Sequence, residues 1–178
     1  NLTRYIADGA DLVTFSGGKG LRGPQSTGIL AGRADLVEAA RLNMSPHASV
    51  GRGSKVAKEE IAAVLAALNR FVSMDHESEW ATWRNWSESI TAVGKGIKGL
   101  RPVIEDVDPN RQGPTAVFYF EEDWDGPSSK EIQDALSAGD PSIHVGAGSY
   151  GDELYVSPVA LEPGEAELVA EALREMFT

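Results

Sequence analysis

Between Gly9 and Gly32 the chain reads G-A-D-L-V-T-F-S-G-G-K-G-L-R-G-P-Q-S-T-G-I-L-A-G, and no other run constrains its fold so tightly. Ala10 to Phe15 is a short apolar strand and Thr27 to Ala31 is a second. Gly17, Gly18, Gly20, Gly23 and Pro24 lie between them and forbid a helix. The strands must therefore be joined by a glycine-rich turn, and that turn carries one lysine, Lys19. Four flanking glycines leave no side chains to obstruct a flat ligand lying against the backbone. A lysine in a partly desolvated pocket can lose its proton and form a Schiff base. The plainer alternative is a turn whose lysine is simply solvated.

Three other motifs share these residues. Gly18, Gly20 and Gly23 satisfy G-x-G-x-x-G, with Glu38 at a plausible distance for a ribose contact, as in an NAD-binding oxidoreductase. That pattern requires a helix next, whereas Pro24 and then a strand follow. Ser16 and Lys19 also match S-x-x-K, but no K-T-G follows them. The P-loop fails because Lys19 is followed by Gly20 rather than Ser or Thr.

The run from Ser16 to Arg33, S-G-G-K-G-L-R-G-P-Q-S-T-G-I-L-A-G-R, resembles the Schiff-base lysine segment of fold-type-I pyridoxal-phosphate enzymes. The branch it resembles most is that of the bacterial selenocysteine synthase and D-glucosaminate-6-phosphate ammonia-lyase. Ser49 to Glu60, S-V-G-R-G-S-K-V-A-K-E-E, looks like the same branch, and D-P-S-I and L-Y-V-S-P-V resemble its small domain. The resemblance implies an α/β fold, the end of a PLP-transferase-like large domain, plus a small α+β C-terminal domain joined by a long helix. The implied divisions are 1–53 for the large-domain part, 54–99 for the helix and 100–178 for the small domain.

Beyond the glycine run, Ala34 to Leu42 is a short helix, ended by Asn43 to Pro46. A longer helix follows, with Ser54 as its expected cap and Ile61, Val64, Leu65, Leu68, Phe71 and Val72 spaced by three and four. Trp83, Trp86, Ile90, Val93 and Ile97 continue in a second phase, so the helix should bend or break near Asp75 to Ser78. Its tryptophans suit core or subunit contacts better than a cofactor cage. Strands are then expected over Val103 to Val107, Thr115 to Phe120, Ile143 to Ala147 and Glu153 to Ser157, with helices over Ser128 to Ser137 and Gly164 to Phe177. This order suits helices packed on an antiparallel sheet. The acidic run Glu121 to Asp125 reads as a solvated loop rather than a metal site.

Composition narrows the chemistry. The 178 residues contain no cysteine, so disulfides and thiolate metal sites are impossible. His47, His76 and His144 are too scattered to suggest a ligand cluster. A net charge of -11 disfavours nucleic acid as a partner. No run is long enough to span a membrane and no signal peptide is visible, so the expected location is cytoplasmic.

Arg52 and Lys55 follow a flexible G-R-G loop at a helix start, where cation, free amides and helix dipole coincide, a combination suited to an anionic group. They bind substrate phosphate or carboxylate, in this site or a neighbouring subunit's, or are surface charges only. His47 lines the same entrance or is an ordinary loop histidine. The resemblance implies pyridoxal 5'-phosphate as cofactor, Lys19 as its imine-forming residue and general base, and Ser16 as a donor to its phosphate unless it merely closes the turn. It also implies a small anionic amino substrate and a homodimer or higher homo-oligomer. The expected reaction is ammonia release from an amino acid or phosphorylated amino sugar acid, with selenium transfer to seryl-tRNA as the alternative. Asn1 precedes Lys19 so closely that the chain is expected to be the C-terminal portion of such an enzyme, incomplete for catalysis alone; the alternative of another class is a catalytically inert fragment that acts as a dimerisation module.

Overall fold

The computed structural model describes residues 2–106, 113–148 and 152–178. The chain divides into two compact units, residues 1–74 and 75–178.

The first unit contains α1 (Arg4–Ala7), β1 (Leu12–Ser16), β2 (Gly28–Gly32), α2 (Ala34–Leu42) and α3 (Lys58–Ser73). The strands pair antiparallel with Leu12 opposite Gly32 and Ser16 opposite Gly28. Side chains alternate across such a ribbon, so Leu12, Thr14 and Leu30 are exposed on one face while Val13, Phe15 and Ile29 are half-buried on the other. β2 runs back antiparallel to β1 with no helix between, which removes the dinucleotide-binding arrangement. Glu38 instead accepts two hydrogen bonds from Arg41, each 2.7 Å.

Ser54 does not cap α3. It lies in a short 3-10 turn, Arg52–Ser54, and the helix begins at Lys58 behind Ala57. Glu60 Oε2 accepts from the Ala57 backbone N–H at 3.1 Å, so a carboxylate within the first turn does what the serine was expected to do. The helix carries two apolar stripes. Val64 is buried, while Ile61, Leu65 and Val72 are 48%, 54% and 70% exposed on the neighbouring stripe.

The expected long helix is broken at Met74, whose backbone is extended, and restarts as α4 (His76–Ala92) in the second unit. Asp75 causes the restart: its carboxylate accepts from the Ser78 N–H at 3.1 Å and from the Ser78 hydroxyl at 2.7 Å. The rest of this unit is β3 (Leu100–Glu105), β4 (Thr115–Phe120), α5 (Ser129–Ala138), β5 (Gly146–Ala147), β6 (Glu153–Val156) and α6 (Glu165–Met176). The strands form an antiparallel sheet in the order β3-β4-β6-β5. Ile90, Phe118, Ile132, Leu154 and Leu173, all 0% exposed, bind the helices to the sheet, each contributing about 1.5–3 kcal/mol by burial. Trp86 and Trp124 pack against this core, while Trp80 is 40% exposed.

Two strands differ from expectation. β3 starts at Leu100, three residues early, and the predicted end at Val107 lies outside the described residues. The strand predicted over Ile143 to Ala147 is reduced to two residues. Helix α5 takes the others: Ile143 N–H donates to Leu136 O at 2.9 Å, and Gln133 Nε2 donates to Val145 O at 2.7 Å. On the second face of the sheet Glu105 accepts from the Tyr119 hydroxyl, which pushes that phenol up to about 12.

The units also differ in charge. Residues 1–74 hold nine Lys/Arg against six Asp/Glu, and residues 75–178 hold seven against twenty-one.

Candidate active site

The glycine-rich turn follows β1 directly and is held by its own backbone. Gly17 N–H donates to Thr27 O at 2.9 Å, Gly23 N–H to Gly17 O at 2.8 Å, and Arg22 N–H to Lys19 O at 2.7 Å. Gln25 Nε2 reaches across to Gly18 O at 3.0 Å. The glycines are spent mainly on this compaction. A Cβ on Gly17 would stand 2.0 Å from Thr27 Oγ1 and 2.9 Å from Val64 of α3, and one on Gly23 would meet Gly17 O at 2.9 Å. Only at Gly20, among the four glycines around Lys19, is the space within 4 Å open. The expected clearance for a flat ligand is therefore confined to Gly20, because helix α3 and the returning chain occupy the room beside the others.

Helix α3 also pins the far end of the turn. The Ser26 hydroxyl donates to Glu60 Oε1 while the other oxygen of that carboxylate holds the Ala57 N–H. The Ser26 bond, and after it the Ala57 bond, hold the Glu60 carboxyl below the usual carboxylate range.

Ser16 and Lys19 border one cavity of about 300 Å³, with Tyr5, Phe15, Leu21 and Phe71 among its walls. Ser16 Oγ accepts from the Gly18 N–H at 3.2 Å, a turn-closing bond that leaves the hydroxyl proton available to an acceptor. Lys19 is exposed within this unit, so the described residues do not supply the desolvation expected of its pocket. The amine, the hydroxyl, the open side of Gly20 and the apolar walls make a donor set that suits an aromatic aldehyde bearing a phosphate.

His47, Arg52 and Lys55 do not line this cavity. They sit in the loop between α2 and α3. Arg52 Nη1 donates to Ser45 Oγ at 3.1 Å, and Gly51 N–H donates to Asn43 O at 2.8 Å, closing the loop onto the end of α2. His47 Nε2 is buried with no hydrogen-bond partner. Lys55 is exposed with extended backbone just past the 3-10 turn. Among the described residues no group of three or more His, Asp or Glu could hold a metal ion, and no helix is long and apolar enough to cross a membrane.

Sequence reasoning missed Tyr5 and Phe71 as cavity walls, Ser45 as the support of Arg52, and the Ser26–Glu60 pin. Phe71 carried a signal, since it shares the α3 stripe of Val64 seven residues earlier, but that stripe reads equally well as core.

Solved structures share this fold. The structure of D-glucosaminate-6-phosphate ammonia-lyase matches 97% of this chain and 45% of that chain, with a TM-score of 0.65 and 23% identity, so the two share a fold. Residues 1–106 match the family described as SelA: L-seryl-tRNA selenium transferase, and the chain belongs to that family. It is 31% identical over 183 residues to a 5'-C-glycyluridine monooxygenase-decarboxylase from Streptomyces, covering 99% of this chain and 43% of the relative. It is 30% identical over 193 residues to the L-seryl-tRNA(Sec) selenium transferase of Solidesulfovibrio magneticus, covering 96% of this chain and 39% of the relative. The chain thus spans less than half the length of these curated relatives. The branch expected from the glycine and lysine motifs is the branch found.

Proposed function

We propose that residues 1–74 carry the lysine of a pyridoxal-phosphate-dependent lyase or transferase acting on a small anionic amino substrate. The observation that supports this most is the shared cavity of Lys19 and Ser16 at the end of β1. When bound, pyridoxal phosphate supplies a carbonyl for an amine and an electron sink for the substrate's α-carbon. Lys19 Nζ then serves first as the amine that anchors the cofactor and, once released, as the base that takes the α-proton. The Ser16 hydroxyl donates to the phosphate while its oxygen keeps the Gly18 N–H in place. Phe15 and Phe71, both half-buried, keep water from the cavity's apolar side.

The chemistry the group would supply is elimination of a β-substituent with its bonding pair, ending after hydrolysis in a keto acid and ammonia, the lyase outcome, with Lys19 Nζ as the base that would carry the α-proton. The transferase outcome, in which a nucleophile adds where the substituent left, is favoured by the family match over residues 1–106. Arg52, with Lys55 and His47, binds the substrate's phosphate or carboxylate. Because their loop lies apart from the Lys19 cavity, we assign them to the site of a neighbouring copy in a homo-oligomer.

The test is chemical. The assembled enzyme is incubated with pyridoxal phosphate, reduced with borohydride and mapped by peptide mass. The pyridoxyl group should sit on Lys19 in preference to the other five lysines, and Lys19→Arg should abolish the preference. Labelling spread over all exposed lysines would sink the assignment.

A further inference from the structure

We propose that helix α6 and the segment after α5 form a docking groove for a basic, amphipathic helical segment of a partner protein. Two adjoining cavities, about 450 Å³ and 250 Å³, share Pro141, Ile143 and Leu168 as lining. Leu161 extends the apolar floor at one end and Met176 at the other. Leu168 stands between the cavities and is 50% exposed, on a helix whose opposite face, with Ala166, Ala170 and Leu173, is buried. An isolated exposed leucine needs no explanation, but one seated between two cavities supplies an anchor.

The rim decides what can sit there. Glu165 borders the larger cavity, and Asp140, Glu171 and Glu175 border the smaller. All four are exposed, and none takes part in an ion pair among the described residues. No Lys or Arg lines either cavity, and His144 is the one other titratable side chain besides Tyr155 in the lining. An apolar floor rimmed on its length by carboxylates attracts a segment with apolar anchors and flanking Lys or Arg, and repels an acidic one. From Glu165 to Glu175 the helix runs about 15 Å, the length of a three-turn helix laid alongside it. The groove lies wholly in the acidic unit, and its use does not depend on Lys19.

The experiment is fluorescence anisotropy of a labelled helical peptide of leucines and lysines, patterned at i, i+3 and i+4, against the full chain at physiological salt. The expected result is saturable binding that weakens at least tenfold in Leu168→Asp and in the double variant Glu171→Lys/Glu175→Lys, with no binding of the matching leucine and glutamate peptide. Leu168→Ala, which removes only half-exposed atoms, should weaken binding severalfold and keeps the test valid if the aspartate variant fails to fold. Glu122→Lys/Asp123→Lys, in the acidic loop away from the groove, should leave affinity within twofold. Equal weakening by the loop variant would reduce the effect to diffuse charge and overturn the proposal, as would indifference to Leu168. Self-association of the chain that Leu168→Asp abolishes would make the occupant a second copy and equally overturn it.

Discussion

Among the described residues, 75–178 close around fifteen buried apolar side chains, while 1–74 bury two, Leu21 and Val64. Nine of the eleven exposed large apolar side chains among the described residues, Leu65 and Val72 included, belong to the first unit. The second unit is therefore held by its interior, and the first by hydrogen bonds and close glycine contacts around one turn. The candidate chemistry sits in the unit with the smaller core. This division is common, because positions that must admit ligands are drawn from the less cooperative parts of a fold.

The sharpest way to break the contrast is to remove matched apolar groups. Phe118→Ala, which empties a fully buried site packed on Phe177 at 5.1 Å between ring centroids, should cost about 3–5 kcal/mol in urea unfolding. Leu65→Ala, on the exposed stripe of α3, should cost under about 0.5 kcal/mol. Comparable losses would mean that the first unit has a core of its own.

Function should respond in the reverse order. Arg52→Ala removes an exposed guanidinium held by Ser45, so the melting temperature should stay put. Apparent affinity of the assembled enzyme for its anionic substrate should fall by about 1.5–3 kcal/mol while Lys19 labelling persists. Unchanged substrate affinity would return Arg52 to the surface.

Gly17→Ala and Gly20→Ala sharpen the picture of the turn. The first must displace Thr27 or Val64 and should cost about 1–3 kcal/mol, with amide shifts spreading from the turn into α3. The second meets no atom within 4 Å and should change stability by less than about 0.5 kcal/mol. Equal effects would show that the turn is not packed as described.

The smallest effect is on acid sensitivity. The Ser78 hydroxyl, with its backbone N–H, lowers the pKa of Asp75, and the Ser128 backbone N–H, with its hydroxyl, lowers that of Glu131. A depressed folded pKa gives stability that is present above the ordinary carboxylate pKa and lost as pH falls through the folded value. Melting temperature of the second unit should therefore decline modestly below the ordinary carboxylate range, and Asp75→Asn should flatten that decline. A decline of unchanged slope in Asp75→Asn would remove the cap from the account.

Much of this was legible in sequence because periodicity and turn chemistry agree. Ala34 to Leu42 and Thr115 to Phe120 appear with the expected ends, and α5 and α6 within one residue of them. Lys19 and Ser16 share a cavity because a strand followed by glycines leaves them few other places. Other features depend on contacts that no local pattern encodes. Ser54 looked like a cap until Glu60 took the Ala57 N–H, and Ile143 looked like strand until Leu136 took its N–H. Glu153, at a position that alternation marks as strand, is 1% exposed with an unpartnered oxygen, which spacing alone could not announce. Nor could it show that Arg52 lies outside the Lys19 cavity, since loop residues are brought together or kept apart by tertiary structure.

The carboxylate of Glu60 holds the first turn of α3 with one oxygen and the end of the glycine turn with the other. One side chain thus ties the fraying of a helix to the opening of a loop. Amide hydrogens at the start of α3 and those around Gly17 and Thr27 should then exchange with solvent in a single concerted event. Whatever orders the turn around Lys19 will register as protection in the first turn of α3 as well.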